Sequence, residues 1–328
     1  MSALLPNKRR PPTCQKQTSL PLHRGRHTVT TKSLLVLHGK QAANQEVRHA
    51  VIDWRDKGHE LAVRVTWEAG DAERYVREAL DLGYTTLIAG GGDGSVRDIV
   101  HAMMTSDRDD LSLAILPLGT ANDFATAAGI PDAIAEALAL LESPATPSDV
   151  IRVNDHYFLN MATGGFGTEV TTQTSEELKS MLGGAAYLLT GLTRFSEIQA
   201  AEGTFSNGEF EWQGEFLALG LGNGRQAGGG QRLCPDALVN DGLLDVAILP
   251  AQMDLLAGVK ELFDSQARQD PEQEGLFVRA RVASLKVTTP SPMNLNLDGE
   301  PVQSTEFDIA VVSNRLKLHL PAESPLLG

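Results

Sequence analysis

Between Ser33 and Pro147 the chain alternates short apolar runs with amphipathic ones, joined by connections of only a few residues. No other feature constrains its fold as strongly. The run SLLVLHG, beginning at Ser33, is stopped by Gly39. In QEVRHAVIDWRDKG, Val47, Val51 and Trp54 recur at spacings of four and three, the period of one helical face. ELAVRVTW sets Leu61, Val63 and Val65 against Arg64 and Thr66, as a half-buried strand does. GDAERYVREALDLG is helical again, with Ala72, Val76, Ala79 and Leu80 on one side and Gly83 as the stop. TTLIA then reads as a buried strand, SVRDIVHAMM as a helix and LAIL as a strand. Alternation of this kind builds βαβ units with right-handed crossovers, so the expected fold class is α/β with a parallel, Rossmann-like sheet.

After Pro147 the texture changes. Short alternating runs are punctuated at Asn154, Asn207-Gly208, Asn240-Asp241-Gly242 and Asp298-Gly299. Asn-Gly and Asp-Gly favour the primed turns that join antiparallel strands, which predicts a mostly β second domain, a sandwich or barrel. One helical insertion, roughly Glu176 to Ile198, interrupts it, and FDIAVVSNRLKLHL near the end reads as one more hairpin. The division expected is a disordered tail over 1–32, an α/β domain over 33–146 and a β domain over 147–304.

Charge is unevenly placed. Residues 1–32 carry seven basic side chains (Lys8, Arg9, Arg10, Lys16, Arg24, Arg26, Lys32) and no acidic one, which leaves 21 basic against 42 acidic residues in the body. Such an acidic body argues against nucleic acid as a partner. The Pro-, Thr- and Arg-rich tail has no periodic pattern. An inert extension or a start codon assigned too early are preferred to a membrane-seeking arm. The two cysteines, Cys14 and Cys234, lie far apart with no histidine pair at ligand spacing, which speaks against a disulfide framework or a zinc site and fits a reducing cytosol. No apolar run approaches the roughly 18 residues of a membrane span, and no apolar segment follows the basic cluster as in a signal peptide.

The stretch IAGGGDGSVRDIV (88–100) now has a context of strand, glycine loop and helix. In open parallel sheets ligands bind beyond the carboxyl ends of strands, and glycines let backbone amides approach a phosphate closely. A P-loop is excluded because no Lys-Ser or Lys-Thr follows, and the dinucleotide fingerprint because Ser95 stands where a third glycine would be. Asp93 beside a polyphosphate would bind Mg²⁺ or order the loop. Ser95 to Asp98 has capping-box spacing, but four glycines exceed what a cap requires. A second loop, LAILPLGTANDFA, repeats the pattern, with Thr120 and Asp123 at capping-box spacing. Capping does not account for Asn122 or for Pro117-Leu118-Gly119.

GGGDGS followed by PLGTANDFA resembles the diacylglycerol kinase catalytic domain. With VRVTWEAGDAERYV, NMATGGFGTEVTT, GNGRQAGGGQRLCPDALVNDGLLDV and NLDGEP, the chain is more closely similar to the YegS-type bacterial lipid kinases, from about Leu34 to Leu327. The resemblance implies an α/β nucleotide domain and a β-sandwich, a cleft between them for the active site, and a final segment (305–328) returning to the first domain. It implies ATP as co-substrate over Gly92, Asp93, Gly94, Ser95, Val96, Arg97 and Asp98, with Thr66 and Thr120 as further contacts. Glu300 matches the family's general base. The carbonyls of Leu238 and Leu243 with the Asp241 carboxylate match a Mg²⁺ site, where Ca²⁺ would also suit the hard oxygen donors. The substrate implied is a membrane lipid, phosphatidylglycerol first and diacylglycerol second, met by transient docking of a cytoplasmic enzyme at the inner face of the membrane; no stable protein partner is inferred. Asp98 stands where the family has Glu and, as the larger departure, Arg97 where it has Asn. A soluble-substrate kinase, or a nucleotide- or lipid-binding regulator without turnover, remain as alternatives. In the insertion, Leu178, Met181, Leu182, Ala185, Leu189 and Leu192 form an apolar stripe, read first as packing on its own domain and second as a lipid border.

Overall fold

The computed structural model describes residues 32–106, 108–165, 200–251 and 277–328. The tail up to Thr31 and the insertion at 176–198, with its apolar stripe, lie outside the described residues. Lys32 does not belong to a tail: it opens strand β1 (Lys32–Leu37) in register with Glu60, and its Nζ donates to the Leu82 carbonyl at 2.6 Å.

Four strands run parallel in the order β2 (Glu60–Val65), β1, β3 (Thr86–Gly91), β4 (Ser112–Pro117). Between them run α1 (Gln45–Asp56), α2 (Asp71–Asp81) and α3 (Asp93–Thr105). Val47, Val51 and Trp54 of α1 are buried as their spacing requires, and the Asn44 side chain accepts from the amides of Glu46 and Val47 to cap that helix. Leu34 to Leu37, Leu87 to Ala89 and Leu113 to Leu116 have almost no exposure, because helices cover both faces of a parallel sheet. Beyond β4 lie two short helices, α4 (Asp123–Ala127) and α5 (Ile134–Ala139).

The remaining strands pair mostly antiparallel: β5 (Thr146–Val153), β6 (His156–Phe158), β7 (Met161–Gly165), β8 (Ala201–Ser206), β9 (Glu211–Gly222), β10 (Leu244–Pro250), β11 (Val278–Val282), β12 (Ser284–Leu297) and β13 (Glu300–Leu318). Three of the four predicted turns join paired strands. Asn154 (φ 52°) lies between β5 and β6, Gly208 (φ 93°) between β8 and β9, and Asp298-Gly299 (φ 47° and 100°) between β12 and β13. The fourth, around Gly242, is no hairpin; it leads an irregular segment into β10.

The predicted terminal hairpin is also absent. FDIAVVSNRLKL, up to Leu318, runs on within the single strand β13, whose register slips between Val312 and Leu316, with Asn314 at φ 56°. The buried carboxylate of Asp149 accounts for the bulge: Oδ1 accepts from Asn314 N at 2.9 Å and Oδ2 from Gly242 N at 2.7 Å. β13 pairs with β12 and β5 and, at Leu318, parallel with Leu113 of β4. The two halves therefore share one continuous ladder of strands instead of meeting as separate sheets. Leu316, Leu318, Leu320 and Leu326 join the apolar core of the α/β half. A second core gathers Phe158, Phe205, Phe216, Phe307 and neighbours among the antiparallel strands. Asp298 at the tip of the β12–β13 turn thereby comes near the start of α3, and the charge of Asp93 is felt at its carboxyl.

Candidate active site

β3 ends in Gly90 and Gly91, and Gly92 is the N-cap of α3. No side chain caps this helix, so the expected Ser95–Asp98 capping box does not form: both residues lie within the first turns. The glycines have distinct reasons. A Cβ at Gly90 would meet Leu35 and Leu37 at 2.9 Å, and one at Gly91 would meet Ser95 Oγ at 2.3 Å. At Gly94, by contrast, a Cβ would have nothing within 4 Å. Gly94 thus presents bare backbone to open space at an uncapped helix start, the arrangement that receives an anion. Val96 turns its side chain into the core and its amide is bonded to the Gly92 carbonyl, so it offers a ligand little.

The second loop is held against the first by backbone contact. A Cβ at Gly119 would lie 2.4 Å from Gly92 Cα and 2.7 Å from Asn122 Oδ1. Asn122, at φ 50°, accepts from Gly119 N (2.9 Å) and donates to Gly119 O (3.0 Å), which accounts for the Gly119 and Asn122 that capping left unexplained. Thr120 is exposed on this loop. The Thr120–Asp123 box does not form either. The amides at the start of α4 are taken by Asp93, whose oxygens accept from Asp123 N (3.2 Å) and Phe124 N (3.3 Å). Burial pushes the Asp93 carboxyl above its ordinary range; the Asp123 charge adds to this and the amides oppose it. Asp123 in turn reaches across to the GNGRQAGGGQ loop, accepting from Gly229 N at 2.9 Å and Gly230 N at 2.8 Å. Asp93 therefore ties the start of α4 to the glycine loop. The relay from Asp93 to Asp123 to Gly229-Gly230 was not foreseen, because capping-box spacing offered a local explanation for the same residues.

In the antiparallel half, Asp298 accepts from three consecutive amides: Leu159 N (2.8 Å), Asn160 N (3.0 Å) and Met161 N (2.7 Å). Burial, with the Asp93 charge adding, pushes its carboxyl up to about 6 despite those amides. Sequence reading took Asp298 only as a turn residue; its left-handed φ of 47° was the legible part of a larger role. Two residues on, Glu300 is exposed and receives Nη1 of Arg97 on Oε2 at 2.7 Å. Arg97 also contacts Asp98, with Nε to Oδ1 at 3.1 Å. Burial works against the Arg97 charge, but the hydrogen bond it donates to Glu300 and the nearby Asp98 outweigh it and its pKa is raised.

Thr66 lies just past β2, its amide donating to Leu37 O at 2.9 Å and its carbonyl against Gly39. It stands two strands from the glycine loop along the same carboxyl edge. The Leu238–Asp241–Leu243 group is elsewhere. Its turn is tied to Asp149 through Gly242 and to the C-terminal segment through Val239 N to Leu326 O (2.9 Å). Among the described residues nothing joins it to the glycine loop. Asp241 has both oxygens engaged, Oδ1 by Leu243 N at 2.9 Å and Oδ2 by the guanidinium of Arg281. As arranged, that carboxylate does not fit a divalent ion, because an organic cation already stands on it.

The family model "Diacylglycerol kinase catalytic domain" matches residues 32–153, and "YegS C-terminal NAD kinase beta sandwich-like domain" matches residues 162–320. A protein of Alcanivorax borkumensis named "Probable lipid kinase YegS-like" is 75% identical over 300 residues, which is 92% of this chain and 100% of that one. The chain belongs to the YegS-like lipid kinase family. A family member of the same name from Pseudomonas aeruginosa is 60% identical over 296 residues, 90% of this chain and 96% of its own. The fold is shared more widely. A diacylglycerol kinase of Bacillus anthracis has a TM-score of 0.67 at 21% identity, covering 89% of this chain and 97% of that one. A second Bacillus anthracis chain has a TM-score of 0.75 at 24% identity, covering 89% and 95%. Among the described residues no helix is long and apolar enough to cross a membrane.

Proposed function

We propose that the chain transfers the γ-phosphoryl group of ATP to the hydroxyl of a membrane lipid. Phosphatidylglycerol is the first expected substrate and diacylglycerol the second, met by transient docking at the inner face of the membrane. The observation that carries this reading is the pair of glycine loops packed Cα against Cα, with the open backbone of Gly94 beside them and Glu300 across the cleft. Kinship with enzymes named as lipid kinases supports the alcohol as acceptor.

In this reading the nucleotide's phosphates lie over Gly92, Asp93, Gly94 and Ser95, with Thr66 and Thr120 at its flanks. Amides at the uncapped start of α3 face the γ-phosphate as charge develops there. Glu300 takes the proton as the lipid O–H bond breaks; the oxygen bonds to the γ-phosphorus, and the bond to the β–γ bridging oxygen breaks to release ADP. Mg²⁺ enters as the counter-ion of ATP in solution, and no residue here is assigned to hold it.

The deciding experiment is transfer of label from [γ-³²P]ATP with Mg²⁺ into extracted lipids, followed by mass spectrometry of the product. Labelled phosphatidylglycerol or diacylglycerol is expected, and Glu300→Gln is expected to lower kcat by about 10² or more. Bound ATP with no labelled lipid from any extract would overturn the reading. An unchanged rate in Glu300→Gln would remove the base alone.

A further inference from the structure

Resting on Glu300 as the proposed base, we infer that Arg97 is a positioning residue for the acceptor side of the cleft and not a nucleotide ligand. Arg97 belongs to α3 and Glu300 to β13 in the far half of the chain, so the pair bridges the two halves. The guanidinium engages Oε2 of Glu300 only. Among the described residues, nothing else bonds that carboxylate. One oxygen is held and the other, Oε1, is left for an alcohol proton.

A pair of this kind on an open surface would be worth little. Arg97 is not on an open surface: its side chain is 19% exposed, against 58% for Glu300. Its planar fork also serves two acids at once, Asp98 within α3 and Glu300 beyond it. Without Arg97, Asp98 and Glu300 would face each other as like charges beside a polyphosphate, and the flexible Glu300 would move away. Each of the three Arg97 nitrogens already donates to one of these two acids, so a phosphate oxygen would have to compete with both carboxylates for the guanidinium charge. A cation at this position, where an amide would carry no charge, therefore sets the direction of the base.

The test combines kinetics with calorimetry of ATP binding in Arg97→Gln, Arg97→Lys, Glu300→Gln and the double variant Arg97→Gln/Glu300→Gln. The expected result for Arg97→Gln is a kcat lower by about tenfold or more, with the KM and Kd for ATP within about twofold of wild type. Arg97→Lys recovers most of that loss, and the double variant is no slower than Glu300→Gln alone. Arginine side-chain NMR signals, with Arg97 assigned through Arg97→Lys, should shift in Glu300→Gln and stay in place on adding ATP. An ATP Kd weakened about tenfold with kcat held, or losses that multiply in the double variant, would overturn the inference. If the wild type binds ATP but labels no lipid, the kinase reading fails by itself. The positioning role then stands or falls on the NMR signals: an Arg97 signal that answers to ATP and ignores Glu300→Gln rejects it.

Discussion

The protein holds its carboxylates in two different ways. In the cleft, Asp93, Asp123 and Asp298 are each held by backbone amides: Phe124 and its neighbour, Gly229 with Gly230, and Leu159 to Met161. Where the irregular segment enters β10, Asp241 of the turn and Asp245 of the strand share the guanidinium of Arg281. An amide is fixed to the main chain and cannot leave, so it defines a position. A guanidinium sits on a long stem and can be exchanged for another cation. The cleft is therefore built to keep its shape while ligands come and go, whereas the turn is stable in its present form but open to exchange.

The most severe way to break the amide-held arrangement is Asp298→Asn. Asn tolerates the left-handed φ at this position, so the change isolates the acceptor. Three amides lose a charged partner, and the variant should be less stable by about 2–3 kcal/mol at pH 7, read from urea unfolding. The pH dependence has a definite sign. The Asp298 carboxyl, at about 6, lies above its value in the unfolded chain. The native state thus holds a proton that the unfolded chain has released between roughly pH 4 and 6. That contribution is fully present below the window and is lost as pH rises through 6. Asn does not titrate, so the gap between wild type and variant should widen as the pH falls below 6. A gap that narrows would mean that the three amides govern Asp298 more strongly than its burial.

Next in size is a contrast between two glycines of the nucleotide half. Gly119→Ala places a Cβ 2.4 Å from Gly92 Cα, backbone against backbone, and should cost about 2–3 kcal/mol while prising the two loops apart. Gly94→Ala meets nothing and replaces a helical glycine, so its unfolding free energy should match or slightly exceed that of wild type, by about 0.5–1 kcal/mol. Yet its methyl group enters the space assigned to phosphate, and ATP affinity should drop by about tenfold or more in calorimetry. Unchanged affinity in Gly94→Ala would move the nucleotide away from this loop.

These residues mark where sequence reading stopped. The α1 face, the alternation of strand and helix and the turns at Asn154, Asn207-Gly208 and Asp298-Gly299 were legible because each depends on a local period or a local φ. Asp123 was misread because a capping box and a bond to a distant loop use the same residue type, and only tertiary structure decides between them. The β13 bulge at Asn314 looked like a hairpin for a related reason. Ser-Asn in an apolar run signals a break, but the Asp149 carboxylate that fills the break lies 165 residues away in sequence. The Arg97–Glu300 pair spans 203 residues and leaves no local signature, although Arg97 stood out as a departure from the family pattern.

The smallest effect expected, and the one that most sharpens the comparison, is Arg281→Gln. Arg281 is 43% exposed, so its loss should lower stability by no more than about 1 kcal/mol. The consequence lies in what it uncovers. Burial already pushes Asp245 up to about 6, against the pull of Arg281, and the charge of Asp241 adds to the rise. Without the guanidinium, Asp241 and Asp245 repel each other with no cation between them, while the Leu238 and Leu243 carbonyls remain nearby in the chain. A divalent ion would then supply what Arg281 supplied. Millimolar Mg²⁺ or Ca²⁺ should raise the melting temperature of Arg281→Gln by a few degrees and leave the wild type almost unmoved. An equal rise in both proteins would show that Arg281 does not keep the ion out, and the contrast between a guanidinium-held turn and an amide-held cleft would fail.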